Sequence, residues 1–278
     1  MNIVALNSSK NWGGNERWLT TALNGLSSRG HQIYLIKRHK TNHWNSLNSS
    51  INVLEAPFTN ELSIKTKTII RDTIKKGNSD ILLSTKRKDY VLAAQVKSKV
   101  NISHIMRLGI SRPILKRDII QRYIISKRVD GIIVNAQSLK SELLKYSFIK
   151  NTFNPDTIRC IYNGYDIVES KPTNFNKTTS DFLTNYGIPE KSKIILTLAR
   201  IIRRKGHDTV LKSLPSLIKE FPDIRYVIAG PHRKKDPYLF ELKKLAKELL
   251  IEQHVIFIDY IPEKDLNEIY SRSKIYIM

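Results

Sequence analysis

Cysteine is almost missing from this chain of 278 residues. Cys160 stands alone, which excludes an internal disulfide and a cysteine-based metal cluster and points to a reducing compartment. Its place in the apolar run Ile158–Tyr162 predicts a buried core position. Long apolar runs are missing too: no window approaches the ~18–20 apolar residues of a membrane span. The opening Met-Asn-Ile-Val-Ala-Leu-Asn-Ser has no basic segment and too short an apolar stretch for a secretory signal. These absences predict a cytoplasmic protein, at most peripheral to the inner face of the plasma membrane, and make the sequons at Asn7, Asn48, Asn101 and Asn176 chance matches.

Acidic residues are scarce, 25 against 47 Lys and Arg, which leaves a formal charge of +22. Such a field draws polyanions, whether nucleic acid, an anionic bilayer or phosphorylated substrates. The cations occur in short clusters along the whole chain (Lys75-Lys76, Lys86–Lys88, Arg203–Lys205, Arg233–Lys235) and form no tail. Specific nucleic-acid binding would call for a reader fold or for aromatics interleaved with cations on one face, and neither is present. Gly13-Gly14 lacks the G-x-G-x-x-G spacing, and no acidic residue closes the second strand at Tyr34–Arg38, which argues against a nicotinamide enzyme. There is no DxD motif and no His/carboxylate cluster at ligand spacing, so neither a metal nor a cofactor is expected.

What is present is an alternation of short β-rich runs with helical periodicity. Strands are expected at 2–7, 33–36, 80–84, 102–107 and 130–135, and helices at 16–29, 64–76, 87–98, 115–128 and 137–147, with 39–63 weakly patterned. A polar, aperiodic stretch at 166–181 reads as a linker. The scheme then resumes with strands 193–198, 224–229, 254–258 and 274–278 and helices 206–220, 237–250 and 263–271. Strands separated by helices of this length imply βαβ units and parallel sheets, hence an α/β protein with one domain over 1–165 and a second over 182–278. Ligands in such sheets bind at the carboxyl ends of the strands, here in a cleft expected between the two domains. The chain ends on the apolar run Ile275–Met278 with no closing turn or helix, which predicts an incomplete second domain.

The most informative local feature is the strand that runs into Ala199-Arg200-Ile201-Ile202-Arg203-Arg204-Lys205-Gly206. Arg200 and Lys205 lie five apart at a strand-to-helix junction, where free backbone N–H groups and the helix dipole already favour a phosphate. The plain alternative is a solvated basic turn.

Five segments in register resemble the retaining glycosyltransferases of family 4 (glycosyl transferases group 1), with the GT-B fold of two Rossmann-like domains. Trp12–Arg17 stands where the family has its glycine loop, followed by Arg29-Gly30-His31. Ile161–Asp166 resembles its Asn-Gly-hydrophobic-Asp element, and Ala199-Arg200 through Lys205-Gly206 its donor-phosphate motif, with Ala in place of the usual Gly. Ile228-Ala229-Gly230, Val255–Phe257 and Leu266 to Lys274 follow the later donor-domain pattern. The resemblance implies a nucleotide-diphosphate sugar as donor, a glycan or lipid-linked acceptor, and a role in cell-envelope polysaccharide or lipopolysaccharide synthesis. It makes Arg200 and Lys205 catalytic, as cations beside the leaving diphosphate. Gly13, Gly14, Gly230 and Ile261 become donor-binding, Gly13 and Gly14 because a backbone without Cβ can approach phosphates.

His104 and Arg107 are acceptor-side candidates on the strand 102–107, with core or surface roles as the alternative. His31, Asn163 and Asp166 read as structural. The helix 112–128 interleaves Arg112, Lys116, Arg117, Arg122, Lys127 and Arg128 with Ile and Leu residues, a basic amphipathic pattern suited to an anionic bilayer or to a core helix with a solvated face. Family members continue with two glutamates that hold the donor sugar and ribose. Their absence up to Met278 predicts weak or no transfer by this chain, and leaves open a non-catalytic remnant or a basic nucleic-acid-binding protein.

Overall fold

A computed structural model describes residues 1–41, 44–111, 118–164, 183–231 and 236–278. The chain divides into two compact units, Met1–Asp166 and Ile167–Met278. The linker expected at 166–181, the basic cluster Arg233–Lys235 and the first part of the amphipathic helix, 112–117, lie outside the described residues.

The first unit is built on a seven-stranded sheet, β1 (Asn2–Asn7), β2 (Gln32–Arg38), β3 (Asn52–Ala56), β4 (Ile81–Ser84), β5 (Ser103–Leu108), β6 (Gly131–Val134) and β7 (Ile158–Cys160), in the order β3-β2-β1-β4-β5-β6-β7. Every pairing is parallel. The helices α1 (Gly14–Ser27), α2 (Ile64–Lys76), α3 (Arg87–Lys97), α4 (Ile119–Arg128), α5 (Gln137–Leu143) and α6 (Ser147–Lys150) connect them. β1 is central and buried on both faces, so it reads as a continuous apolar run. Its alternate residues serve different layers: Val4 and Leu6 pack with Ile70 and Ile74 of α2 and Leu92 of α3, while Ile3 and Ala5 pack with Leu19 and Leu23 of α1. Each such fully buried Leu or Ile contributes about 1.5–3 kcal/mol.

The second unit carries β8 (Lys193–Leu198), β9 (Ile224–Ala229), β10 (Val255–Ile258) and β11 (Ser273–Tyr276) in the parallel order β10-β9-β8-β11. The helices α7 (His207–Glu220) and α8 (Pro237–Glu248) cover one face through Leu211, Leu214 and Leu242, and α9 (Glu263–Arg272) covers the other through Ile269.

Four expectations need correction. β3 lies inside the stretch taken as weakly patterned; it is an edge strand with Asn52, Val53 and Glu55 exposed, so it has no apolar alternation to reveal it. The helix expected over 137–147 is two helices, because the chain turns at Leu144–Tyr146 and sends Tyr146 and Ile149 into the core. The described part of the amphipathic helix begins at Ile119, where the Asp118 carboxylate accepts from the Gln121 N–H as an N-cap. Cys160 ends the edge strand β7 and is half-buried, against the fully buried position expected.

Candidate functional site

In an open parallel sheet the order of strands reverses at one point, and the loops leaving the carboxyl ends there diverge and leave room for a ligand. In the second unit that point is between β8 and β11, and the loop leaving β8 is Ala199–Gly206. The loop is fixed at several atoms. Ile201 is buried and anchors it to the core. Arg203–Lys205 form a single 3-10 turn that closes at Gly206, whose φ of 66° is the left-handed conformation that glycine adopts without strain. α7 starts immediately after it. A Cβ on Gly230, at the end of β9, would lie 2.1 Å from the Ala199 carbonyl oxygen, so glycine there lets β9 run beneath the start of the turn.

His207 holds the other end. Its ring is fully buried, with Nδ1 at 3.3 Å from the Tyr226 hydroxyl and Nε2 at 3.4 Å from the Arg200 carbonyl oxygen. Tyr226 also meets Thr197 Oγ1 at 3.1 Å, within β8. Burial lowers the His207 pKa and keeps the ring neutral. Arg203 turns aside to Glu241 at 2.5 Å and stacks on the Tyr238 ring. Arg200 is exposed and Lys205 half-buried, and among the described residues neither forms an ion pair. Among the described residues the turn thus presents three cations without a carboxylate partner, Arg200, Arg204 and Lys205, at the carboxyl end of the sheet. Ile261, expected to be donor-binding, is 6% exposed with its side chain in the core beside Ile258 and Ile269, which leaves only its backbone for a ligand.

In the first unit the reversal lies between β1 and β4. Gly13 is the N-cap of α1 in an extended conformation, and a Cβ on Gly14 would meet nothing within 4 Å. The packing of this unit therefore does not itself require glycine at position 14. Next to it, Asn15 Oδ1 accepts from Arg107 Nη1 at 2.7 Å, and Asn163 Oδ1 accepts from Arg107 Nη2 at 3.3 Å. The guanidinium lies 4.0 Å over the Trp18 ring, and a Cβ on Gly109 would come within 2.7 Å of its Nη1. Arg107 sits at the carboxyl end of β5 as expected. With only 4% of it exposed, it acts first as a cross-tie among the ends of β1, β5 and β7.

His104 is a correction. It lies near the amino end of β5, fully buried, with Nε2 at 2.7 Å from Ser84 Oγ and Nδ1 at 2.7 Å from the Arg128 carbonyl oxygen. Burial pushes its pKa down to about 4, so it is a neutral core residue that no acceptor at the carboxyl edge can reach.

Three residues to which sequence reasoning gave no role of their own complete this edge. Glu16 is buried; burial raises its pKa, but hydrogen bonds from Lys86, Asn7 and Asn15 outweigh that and hold it below the usual carboxylate range. Lys86 meets Glu16 at 2.8 Å and donates to Ser9 Oγ at 2.8 Å. Asp89, fully buried, accepts from the Ser8 N–H at 3.1 Å and from Thr85 Oγ1 at 3.4 Å, and burial pushes its pKa up to about 6. The only sequence signal for this group is the placement of Lys86–Asp89 directly after an apolar strand.

Residues 179–278 match the family described as Glycosyl transferases group 1. Over 93 residues the chain is 30% identical to a GDP-mannose-dependent alpha-(1-6)-phosphatidylinositol monomannoside mannosyltransferase of Mycolicibacterium smegmatis, which covers 34% of this chain and 23% of that protein. It is 28% identical over 127 residues to spore coat protein SA of Bacillus subtilis, covering 43% of this chain and 33% of that protein. The aligned stretches thus span a quarter to a third of those relatives. Among solved structures, HepE of Anabaena in complex with UDP and glucose matches with a TM-score of 0.76 at 17% identity, over 99% of this chain and 73% of that one. A UDP-GlcNAc 2-epimerase of Methanocaldococcus jannaschii matches at 0.64 and 12% identity, over 99% of this chain and 78% of that one. Likeness at these identities concerns the fold alone.

Proposed function

We propose that this chain, which has the GT-B fold and whose residues 179–278 match glycosyl transferases group 1, transfers a sugar from a nucleotide-diphosphate sugar to a glycan or lipid-linked acceptor. The single observation that carries this is the pair of carboxylate-free cations, Arg200 and Lys205, on the turn at the β8/β11 switch point. Breaking the glycosidic bond of such a donor builds negative charge on the diphosphate, and fixed cations lower that barrier with no reorganisation at the moment of reaction. They would supply what a bound metal supplies elsewhere, so the reaction is metal-independent in this reading. Gly14, with open space at its Cβ position, is where a phosphate can approach the first unit's backbone. Retention of the anomeric configuration follows from the family resemblance.

The experiment is a panel of UDP-, GDP- and ADP-sugars with excess chelator. Sugar release should be slow, should favour one nucleotide and should disappear in Arg200→Gln/Lys205→Gln. Release that needs a divalent cation, or that survives the double substitution, contradicts the reading.

The acceptor side has a membrane aspect. α4 exposes Ile119, Ile120 and Tyr123 at 77%, 64% and 58%, with Lys127 exposed on the same helix. This is the pattern of a helix lying in an anionic interface. Flotation with phosphatidylglycerol vesicles should recover the protein, and recovery equal to that with neutral vesicles, or none, rejects this placement. A nucleic-acid partner has no comparable support, because the cations at the two switch points sit on separate sheets.

A further inference from the structure

We infer that the carboxyl edge of the first sheet, around the ends of β1, β2 and β4, is a second anion site that binds a phosphate group. Its cations come from three separate stretches of chain. Arg38, at the end of β2, donates from Nε to the Ser8 carbonyl oxygen at 2.9 Å, from Nη1 to that of Pro57 at 3.0 Å and from Nη2 to that of Phe58 at 2.5 Å. Lys88 donates to the same Phe58 oxygen at 2.9 Å and to the Thr59 oxygen at 3.1 Å. Two like charges therefore converge on one neutral carbonyl. The oxygen belongs to a buried Phe58 held at φ 43°, a left-handed conformation that is strained for a non-glycine residue. Exposed Lys10, on the loop leaving β1, adds a third charge.

The nearby carboxylates cancel these cations only in part. Glu16 is engaged by Lys86, and Glu61 and Asp118 share Arg87 at 3.0 and 3.1 Å. Asp89 is fully buried and turned to the Ser8 N–H and Thr85. The five cations Lys10, Arg38, Lys86, Arg87 and Lys88 thus stand against the four carboxylates Glu16, Glu61, Asp89 and Asp118, an excess of one positive charge, and among the described residues Arg38 and Lys88 have no carboxylate in direct contact. The pKa of Lys88 is lowered first by burial and then by Arg38, with Glu61 and Asp89 opposing the shift and Lys10 adding to it. Lys88 has three N–H donors and uses two on carbonyls. α3, 11 residues long, begins at Arg87 with no side chain capping it, so the positive end of its dipole faces the same edge. Backbone strain of this kind clusters at ligand sites, held in place by the surrounding structure. That the phosphate belongs to the acceptor rests on the transferase reading, whereas the site itself does not.

The test uses the full chain carrying Arg200→Gln/Lys205→Gln, so that the second unit's turn does not report. Inorganic phosphate and glucose 1-phosphate are titrated while the backbone amides of residues 8–10 and 86–89 are followed by NMR. Saturable shifts confined to these amides are expected. Adding Lys10→Met/Lys88→Met should raise the Kd about tenfold or more, the worth of a lost charge-assisted contact, while Lys75→Met/Lys76→Met leaves it unchanged. Lys10→Met alone removes only an exposed side chain and should still weaken binding measurably, which keeps the test valid if the double variant unfolds. Unsaturable shifts, shifts spread over unrelated lysines, or an unchanged Kd in both Lys10 variants overturn the site. Phosphatidylglycerol vesicles form the second arm: Lys10- and Lys88-dependent vesicle binding assigns the phosphate to a lipid headgroup, and dependence with the soluble esters alone assigns it to a soluble acceptor. A failure of sugar release with this site intact would remove the acceptor interpretation and leave the site.

Discussion

In the second unit Arg200 and Lys205 lie five positions apart on one turn; in the first, Lys10, Arg38 and Lys88 reach one edge from the ends of three different strands. Both groups sit beside a point where strand order reverses. The local pair is written in the sequence as a spacing. The assembled group exists only because β1, β2 and β4 are parallel neighbours in register, Ala5 standing beside Leu35 on one side and Leu83 on the other. Cation placement at a switch point is thus a property of topology, and a motif is the special case in which topology and chain proximity coincide.

The glycines sharpen the comparison most. Gly230 is required by packing, since a Cβ there would meet the Ala199 carbonyl at 2.1 Å, while Gly14 faces open space. Gly230→Ala should destabilise the second unit by about 2–4 kcal/mol and displace the basic turn, weakening nucleotide binding. Gly14→Ala should leave the unfolding midpoint in place and reduce sugar release. Equal losses of stability in urea unfolding would break the distinction between a glycine kept for the fold and one kept for a ligand.

The next contrast lies within the first unit, where two buried titratable groups act on stability with opposite signs. The carboxyl of Asp89 is raised to about 6 in the fold, so the stability it contributes is present below pH 4 and is lost as pH rises to about 6. The His104 ring is depressed to about 4, so its contribution is present above pH 6.5 and is lost as pH falls towards 4. Each is worth at most about 3 kcal/mol, and in the wild type they largely cancel between pH 4 and 6. Asp89→Asn keeps an acceptor for the Ser8 N–H, so it should raise stability at pH 8 and expose a steeper loss on acidification. Denaturant midpoints from pH 4 to 8 measure this, and an unchanged slope in that variant contradicts the assignment.

A smaller effect separates Arg107 from the cations of the edge. Its bonds go to Asn15 and Asn163 and its face to Trp18, so Arg107→Lys keeps the charge and loses the fork and the stack. A cost of about 1–2 kcal/mol in stability is expected, with phosphate binding by the Lys10 and Lys88 group retained. Loss of phosphate binding with no loss of stability would make Arg107 a direct ligand.

Much of the architecture was legible because buried parallel strands are apolar runs and their helices carry a clear period. Strands 193–198 and 224–229 and helix 64–76 appear with the ends that the pattern predicts. β3 was not legible, since an edge strand with one buried residue of five has no periodic signal. The Arg200–Lys205 turn was legible as chemistry, but the devices that hold it, Gly230 beneath Ala199 and His207 behind Arg200, depend on contacts between β8, β9 and α7. His104 shows the reverse case. Three residues from Arg107 on one strand, it lies at the opposite end and on the opposite face, and only register separates a core histidine from an edge arginine.

Isothermal titration with UDP, GDP and ADP tests the central claim most directly when two variants of equal charge are compared. Arg200→Gln/Lys205→Gln removes the proposed phosphate grip, and Arg204→Gln/Lys212→Gln removes the same charge from the same unit. The account predicts that the first loses at least about tenfold in affinity for the preferred nucleotide and that the second stays within about twofold. Equal losses in the two would mean that the nucleotide feels only the overall positive field, and the assignment of the turn would be wrong.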